Sequence, residues 1–172
     1  MEFLSVEDVL MNLEMKDSML AAEFGCGSAA FATSLAKKLR RGRVYALDIQ
    51  EAKLSALKSR LEVEKIGNVT TILCDLEKPK GSTLKDGIID MVLIPNVLFQ
   101  SENKGDIINE AKRVLRIGGQ LLIIDWAKKT PFSPKSGVPS PEEIKSIAEG
   151  LGLSLKKEFM AGDYHYGLLF IK

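Results

Sequence analysis

Short apolar runs alternate with amphipathic stretches along most of the chain. The run at 19–22 leads through a glycine-containing turn into a stretch marked by Phe31, Leu35 and Leu39. This spacing predicts a strand, a tight turn and a helix that ends near Arg40, where Gly42 stops it. Residues 43–47 predict a second strand ending in Asp48. Leu54, Leu57 and Leu61 recur at helical spacing over 50–65, and Gly67-Asn68 closes that helix. A third strand, 69–73, ends at Cys74-Asp75. Beyond a Lys/Pro/Gly-containing loop at 77–87, a strongly apolar strand at 88–94 is ended by Pro95. Residues 96–100 and 104–115 supply the next crossover, with Ile107, Ile108, Ala111, Val114 and Leu115 on one face. Gly118-Gly119 is expected to end that helix and to start a strand over 120–124.

Five strands alternating with helices predict right-handed βαβ units and a parallel sheet covered on both faces. The last third of the chain reads differently. Residues 128–139 hold three prolines and a glycine, as expected of a mobile loop. Ser140-Pro141-Glu142-Glu143 then combines a capping serine, a proline at the first helical position and a capping-box glutamate, and predicts a helix to about Glu149. Apolar stretches at 153–159 and 164–171 are separated only by 160–163, which is hairpin length rather than crossover length. The last strand must therefore run against the others. At the other end, Ser5-Val6-Glu7-Asp8 caps a short amphipathic helix with Val9, Leu10 and Leu13 on its apolar side. This 1–16 segment is expected either to lie over the ligand mouth as a lid or to pack on the sheet edge. The whole of 1–172 reads as a single domain with no internal repeat.

Composition adds exclusions. With 45% apolar and 27% charged residues the chain resembles an ordinary globular domain. Lys plus Arg number 24 against 23 Asp plus Glu, so no global field recruits nucleic acid or an anionic membrane. The longest apolar runs, such as 120–127, are far short of the roughly 20 residues a spanning helix needs. The 2 cysteines, Cys26 and Cys74, follow no secretory signal and are expected to be reduced thiols of a cytoplasmic protein.

The candidate chemistry starts in the stretch 21–32, A-A-E-F-G-C-G-S-A-A-F-A. Gly25 and Gly27 permit backbone angles and a closeness of approach that a Cβ would block. The helix starting near Ser28 aims unpaired N–H groups and its positive dipole end at the same place. Taken alone, the turn leaves the nucleotide-like ligand undecided, because G-x-G-x-x-A over Gly25, Gly27 and Ala30 also satisfies the dinucleotide-binding fingerprint.

The order of elements, with its reversed final strand, resembles the class I S-adenosylmethionine-dependent methyltransferases over nearly the whole chain. Glu23-Phe24-Gly25-Cys26-Gly27-Ser28-Ala29 is similar to that family's acidic-x-Gly-x-Gly-x-Gly motif. Asp48 matches the acidic residue ending the second strand, and Cys74-Asp75-Leu76 the one after the third. Leu115-Arg116-Ile117-Gly118-Gly119-Gln120-Leu121 resembles the L-[KR]-P-G-G-x-L turn before the fifth strand. Ala29 in place of the third glycine and Ile117 in place of proline are mild departures. The resemblance implies an α/β, Rossmann-like, doubly wound and mostly parallel seven-stranded sheet with an antiparallel last strand. It implies S-adenosylmethionine as methyl donor and S-adenosylhomocysteine as product. Asp48 would accept the ribose hydroxyls, Asp75 the adenine amino hydrogens, and Glu23 the methionine ammonium. Cys26, Ile49, Leu76, Pro95 and Asn96 complete the expected cofactor set, with Cys26 a small turn residue rather than a nucleophile. A nicotinamide dinucleotide keeps the glycine turn and Asp48 but leaves Asp75 and the terminal hairpin unaccounted for.

On the acceptor side, an open α/β sheet binds ligands beyond the carboxyl ends of its parallel strands, so Pro95-Asn96 and Asp125-Trp126 face the crevice. The reversed last strand meets that edge at its beginning, which brings Tyr164, His165 and Tyr166 toward it. His165 is then a candidate general base, with Trp126, Tyr164 and Tyr166 shaping an acceptor pocket for a small molecule. Asp125-Trp126 and the D-Y-H-Y-G run loosely resemble small methyltransferases near the ubiquinone/menaquinone group. No His/carboxylate cluster stands at ligand spacing, so no metal is expected. A non-catalytic module that binds the same cofactor is the alternative reading, and a homodimer is compatible with the apolar N-terminal helix.

Overall fold

The computed structural model describes residues 4–127, 133–134 and 136–172. The chain runs α1 (Val6–Leu10), β1 (Leu20–Phe24), α2 (Ala30–Lys38), β2 (Arg43–Asp48), α3 (Glu51–Val63), β3 (Val69–Leu73) and β4 (Ile89–Pro95). A single 3₁₀ turn over Leu98–Gln100 follows, then α4 (Lys104–Val114), β5 (Leu115–Trp126), α5 (Pro141–Gly150), β6 (Ser154–Ala161) and β7 (His165–Ile171). The strands form one seven-stranded sheet in the order β3-β2-β1-β4-β5-β7-β6. Pairs among β1 to β5 are parallel, whereas β7 is antiparallel to both β5 and β6. The short β6–β7 connection permits only this reversal.

Alternation along the central strands divides the core. Ala21, Val44, Met91, Leu93 and Leu122 face α1, α2 and α3, while Ala22, Val92, Ile94, Leu121 and Phe170 face α4 and α5. Burial on both faces explains why these strands read as continuous apolar runs rather than as alternating ones. Leu54, Leu57 and Leu61 form the buried stripe of α3 that their spacing predicts. Caps agree with the sequence as well: Ser5 Oγ accepts the Asp8 N–H at 3.3 Å, and Ser140 Oγ accepts the Glu143 N–H at 3.1 Å with Pro141 opening α5. The α1 helix packs on α2 and is tied to it by a 2.7 Å Lys38–Glu7 ion pair.

The Gly118-Gly119 pair does not end a helix. The α4 helix stops at Val114, and β5 begins at once with Leu115 opposite Ile89, then shifts register to Gln120 opposite Met91. Gly118 lies inside this irregular strand at φ +75°, and its N–H donates to the Lys172 carbonyl at 2.8 Å, while Lys172 N–H donates to Gly119 at 3.0 Å. The last residue of the chain thus fills the irregularity, a long-range partner that helix-stop rules do not see. The loop at 77–87 is pinned from below: buried Glu110 accepts the Ser82 N–H at 3.0 Å and Arg113 Nη2 at 2.7 Å, and Arg113 also pairs with Asp86. Of the loop expected at 128–139, residues 128–132 and 135 lie outside the described residues.

Candidate active site

The carboxyl ends of β1, β2 and β3 converge on one turn. Gly25 and Cys26 both donate their N–H to the Leu47 carbonyl, at 2.8 and 3.1 Å, so the turn hangs from the end of β2. Gly25 has φ +82°, and a Cβ there would meet Val97 Cγ2 at 2.3 Å. Gly27 has φ +35°, and a Cβ there would meet only the Gly25 carbonyl oxygen, at 3.9 Å. The first glycine therefore makes room for protein, while the second leaves open space on the cleft side. Ala29, where a third glycine would be unstrained, has φ +67° and bears a cost of about 1 kcal/mol. The α2 helix begins at Ala30 rather than near Ser28 and has no side-chain cap.

Asp48 and Asp75 close matching turns. Asp48 Oδ1 accepts the Gln50 N–H at 2.9 Å and Asp75 Oδ1 accepts the Glu77 N–H at 3.1 Å, each two residues on. Asp48 Oδ2 faces the Gly27 N–H at 3.3 Å and Cys26 Sγ at 3.8 Å, and Asp75 Oδ2 lies 3.6 Å from Lys78 Nζ. Burial first, then the neighbouring Glu23 and Asp48 carboxylates, pushes the Cys26 thiol up to about 12, so it stays protonated. Burial likewise lifts Cys74 to about 11. Both cysteines are free.

Glu23 is buried at 2% exposure and its Oε2 has no hydrogen-bond partner among the described residues. Burial raises its pKa well above the ordinary carboxylate value; the Ala32 N–H in the first turn of α2 opposes this and the Asp48 charge adds to it. Asn96, at φ +55°, presents a second buried acceptor without a described partner, its Oδ1, while its own N–H is fixed on the Ile124 carbonyl at 2.8 Å. Such orphaned acceptors cost about 1–3 kcal/mol each unless a ligand donates to them.

These groups share one cleft of about 710 Å³, within the size range of small-molecule sites. Glu23, Gly25, Cys26, Gly27, Asp48, Ile49, Asp75, Leu76, Pro95 and Asn96, the expected cofactor set, all line it. Ile49 does so while 65% exposed. Sequence reasoning missed Leu4, Val6, Glu77, Val97, Gln100 and Ser101, which also line it. Gln100 and Ser101 follow Pro95-Asn96 closely enough for the strand-end rule to have found them; Leu4 and Val6 belong to the 1–16 segment, for which a place over the ligand mouth is one of two expectations, though neither residue is singled out.

The expected acceptor residues fall elsewhere. Trp126, Tyr164, His165 and Tyr166 do not line this cleft. His165 pairs with Trp126 across β5 and β7, and their rings lie 4.3 Å apart at 36° on the α1 side of the sheet. It is 2% exposed, neither ring nitrogen has a partner among the described residues, and burial lowers its pKa. Tyr166, one residue on, points to the opposite face, where its hydroxyl donates to the Pro139 carbonyl at 3.2 Å. Tyr164 is half-buried and its carbonyl accepts the Ala127 N–H at 2.7 Å. Adjacent strand residues cannot share a face, so the D-Y-H-Y-G run does not act as one patch. Asp125, fully buried at the end of β5, accepts the Trp126 and Phe99 N–H groups at 2.8 and 3.2 Å, and burial raises it to about 6.

Among the described residues, no group of three or more His, Cys, Asp or Glu is placed to hold a metal ion, and no helix is long and apolar enough to cross a membrane.

A mostly parallel sheet with a reversed seventh strand, and carboxylates ending β2 and β3 around a glycine turn, define a Rossmann-like nucleotide-binding protein of the methyltransferase type. Comparison with known proteins agrees. A family model described as a methyltransferase domain matches residues 16–159. The chain is 30% identical over 148 residues to ribosomal RNA-processing protein 8 of Arabidopsis thaliana, covering 86% of this chain and 42% of that protein. It is 35% identical over 112 residues to the ubiquinone/menaquinone biosynthesis C-methyltransferase of Hydrogenovibrio crunogenus, covering 64% and 42%. It thus spans less than half the length of these curated relatives. A SAM-dependent methyltransferase from Aquifex aeolicus shares the fold, with a TM-score of 0.87, 24% identity, and coverage of 98% of this chain and 89% of that one. The chain belongs to the class I S-adenosylmethionine-dependent methyltransferases.

Proposed function

We propose that the protein transfers a methyl group from S-adenosylmethionine to a small-molecule acceptor. The observation that carries the cofactor assignment is that Glu23 and Asn96, each with a buried acceptor that has no partner among the described residues, line the same cleft as Asp48 and Asp75. A ligand that joins an amino-acid ammonium to a ribosyl base would donate to these acceptors and carboxylates together. Glu23 would hold the ammonium, Asp48 the ribose hydroxyls through its remaining lone pairs, and Asp75 the base amino group, with Ile49 and Leu76 against the base. S-adenosylmethionine supplies an already activated, sulfonium-bound methyl group. The chain's own contribution is to orient the ligand, exclude water and fix the acceptor in line, with no dedicated base required. Balanced charge favours a small acceptor over a polyanion. Leu4 and Val6 on the cleft wall support a covering role for the N-terminal segment within a single domain over 1–172. Two free thiols support a cytoplasmic location.

Calorimetry with S-adenosylmethionine and S-adenosylhomocysteine tests the shared premise: no binding of either sinks it. Incubation with methyl-labelled donor and fractionated cell extract tests the rest, with label expected in the small-molecule fraction. Label in RNA or protein would replace the acceptor class, in line with the ribosomal RNA-processing relative. Tight cofactor binding without transfer to any fraction would make the chain a binding module.

A further inference from the structure

Glu77 joins two segments that flank the cleft at Asp75. Its Oε1 accepts the Ser101 hydroxyl at 2.8 Å and its Oε2 accepts Asn103 Nδ2 at 3.1 Å, across 24 and 26 residues of chain. Ser101 is 7% exposed, and its Oγ accepts the Asn103 N–H at 3.1 Å, so the hydroxyl both donates and accepts. Glu77 is itself held at its backbone, through the N–H that Asp75 Oδ1 accepts. Asp75, Glu77, Gln100 and Ser101 all line the cleft, so this bridge forms part of its wall.

Asn103 shows that the bridge has a cost. It occupies the N-cap of α4, where asparagine normally bonds the helix's free N–H groups and contributes about 1 kcal/mol, yet its side chain makes no cap bond. Its amide donates to Glu77 instead. Both donors to the carboxylate are neutral side chains, and each carboxylate oxygen accepts one of them, so the side chain is fixed at both oxygens.

We propose that Glu77 is a positioning residue that sets the width of the cleft beside Asp75, and with it the selectivity for the base bound there. This rests on the cofactor reading above. With the bridge intact, the 101–103 turn is held to the segment after β3, which limits the room beside Asp75 for a substituent on the exocyclic amine of a base.

The test is calorimetry of the wild-type chain, Glu77→Ala and Glu77→Gln with S-adenosylhomocysteine and its N6-methyladenine analogue. Glu77→Ala is expected to weaken binding of the parent ligand about tenfold and to lose most of the discrimination against the analogue. Glu77→Gln keeps the side-chain length and a carbonyl for the Ser101 hydroxyl, and is expected to stay within about threefold of wild type on both ligands. A merely structural role would lower the melting temperature of Glu77→Ala and leave the affinity ratio between the ligands unchanged; that outcome overturns the proposal. If Glu77→Ala fails to fold, Ser101→Ala, which removes one of the two donors, is read by the same ratio, and an unchanged ratio is equally fatal. Wild-type protein that binds neither ligand overturns the cofactor reading and this inference with it, whereas wild-type binding with unaltered variants overturns Glu77 alone.

Discussion

Asp48 Oδ2 accepts the Gly27 N–H at 3.3 Å, so the carboxylate that ends β2 also holds the turn that follows β1. Its other oxygen holds the Gln50 N–H at 2.9 Å, which fixes the start of α3. One side chain thereby ties together three segments of the cleft. Asp48→Ala is expected to weaken S-adenosylhomocysteine binding by more than about tenfold, and Asp48→Asn by less, since one carbonyl acceptor survives. Unchanged affinity in Asp48→Ala, read by calorimetry, would refute the assignment.

Gly25 and Gly27 should separate folding from binding. In Gly25→Ala the new Cβ combines φ +82° with a 2.3 Å approach to Val97 Cγ2, and unfolding should become easier by about 2–3 kcal/mol. Adding Val97→Ala should recover part of that loss. Gly27→Ala meets no crowding, so its stability cost should be about 1 kcal/mol while its affinity for S-adenosylhomocysteine falls. Urea unfolding paired with calorimetry distinguishes the two, and equal stability losses would contradict the geometry.

Asp125 should impose a pH slope on stability. Its pKa rises on folding from 3.8 to about 6, mainly through burial. The folded chain therefore keeps a proton that the unfolded chain has lost, and the stability from this group is full below about pH 4 and lost as pH rises through about 6. Between pH 4.5 and 7 the loss should be about 2 kcal/mol. Asp125→Asn should remove that component, which denaturation at the two pH values would reveal as a flatter profile. An identical profile in the variant would rule it out.

His165 is the chain's 1 histidine, so its ring resonances are unambiguous by NMR. Burial pushes its pKa below 6.5, and the stability it contributes as a neutral ring is present above that value and lost as pH falls through the folded pKa. The titration midpoint should lie below 6.5, with ring signals coupled to Trp126, 4.3 Å away. A midpoint at or above 6.5 would show that the ring meets water or a carboxylate, and would restore it as a candidate base.

The sequence by itself determined the sheet and which residues line the cleft at the ends of β1 to β4. Those depend on local signals: apolar runs of strand length, helical spacing at Leu54, Leu57 and Leu61, capping residues at Ser5 and Ser140, and carboxylates placed directly at strand ends, where chain direction alone sends them to one edge. The reversal of β7 was legible for the same reason, since a connection of hairpin length allows nothing else. Tertiary structure alone decided what depends on distant partners or on the face a residue takes. Lys172 places Gly118-Gly119 inside β5, and Val97 explains Gly25. Strand alternation sends His165 and Tyr166 to opposite faces, and the Glu77 bridge joins segments that no local pattern connects. Glu23 is the clearest case: a carboxylate beside a glycine turn is visible in one dimension, but that its oxygen lies buried and without a partner among the described residues follows only from the packing of β1 against its neighbours.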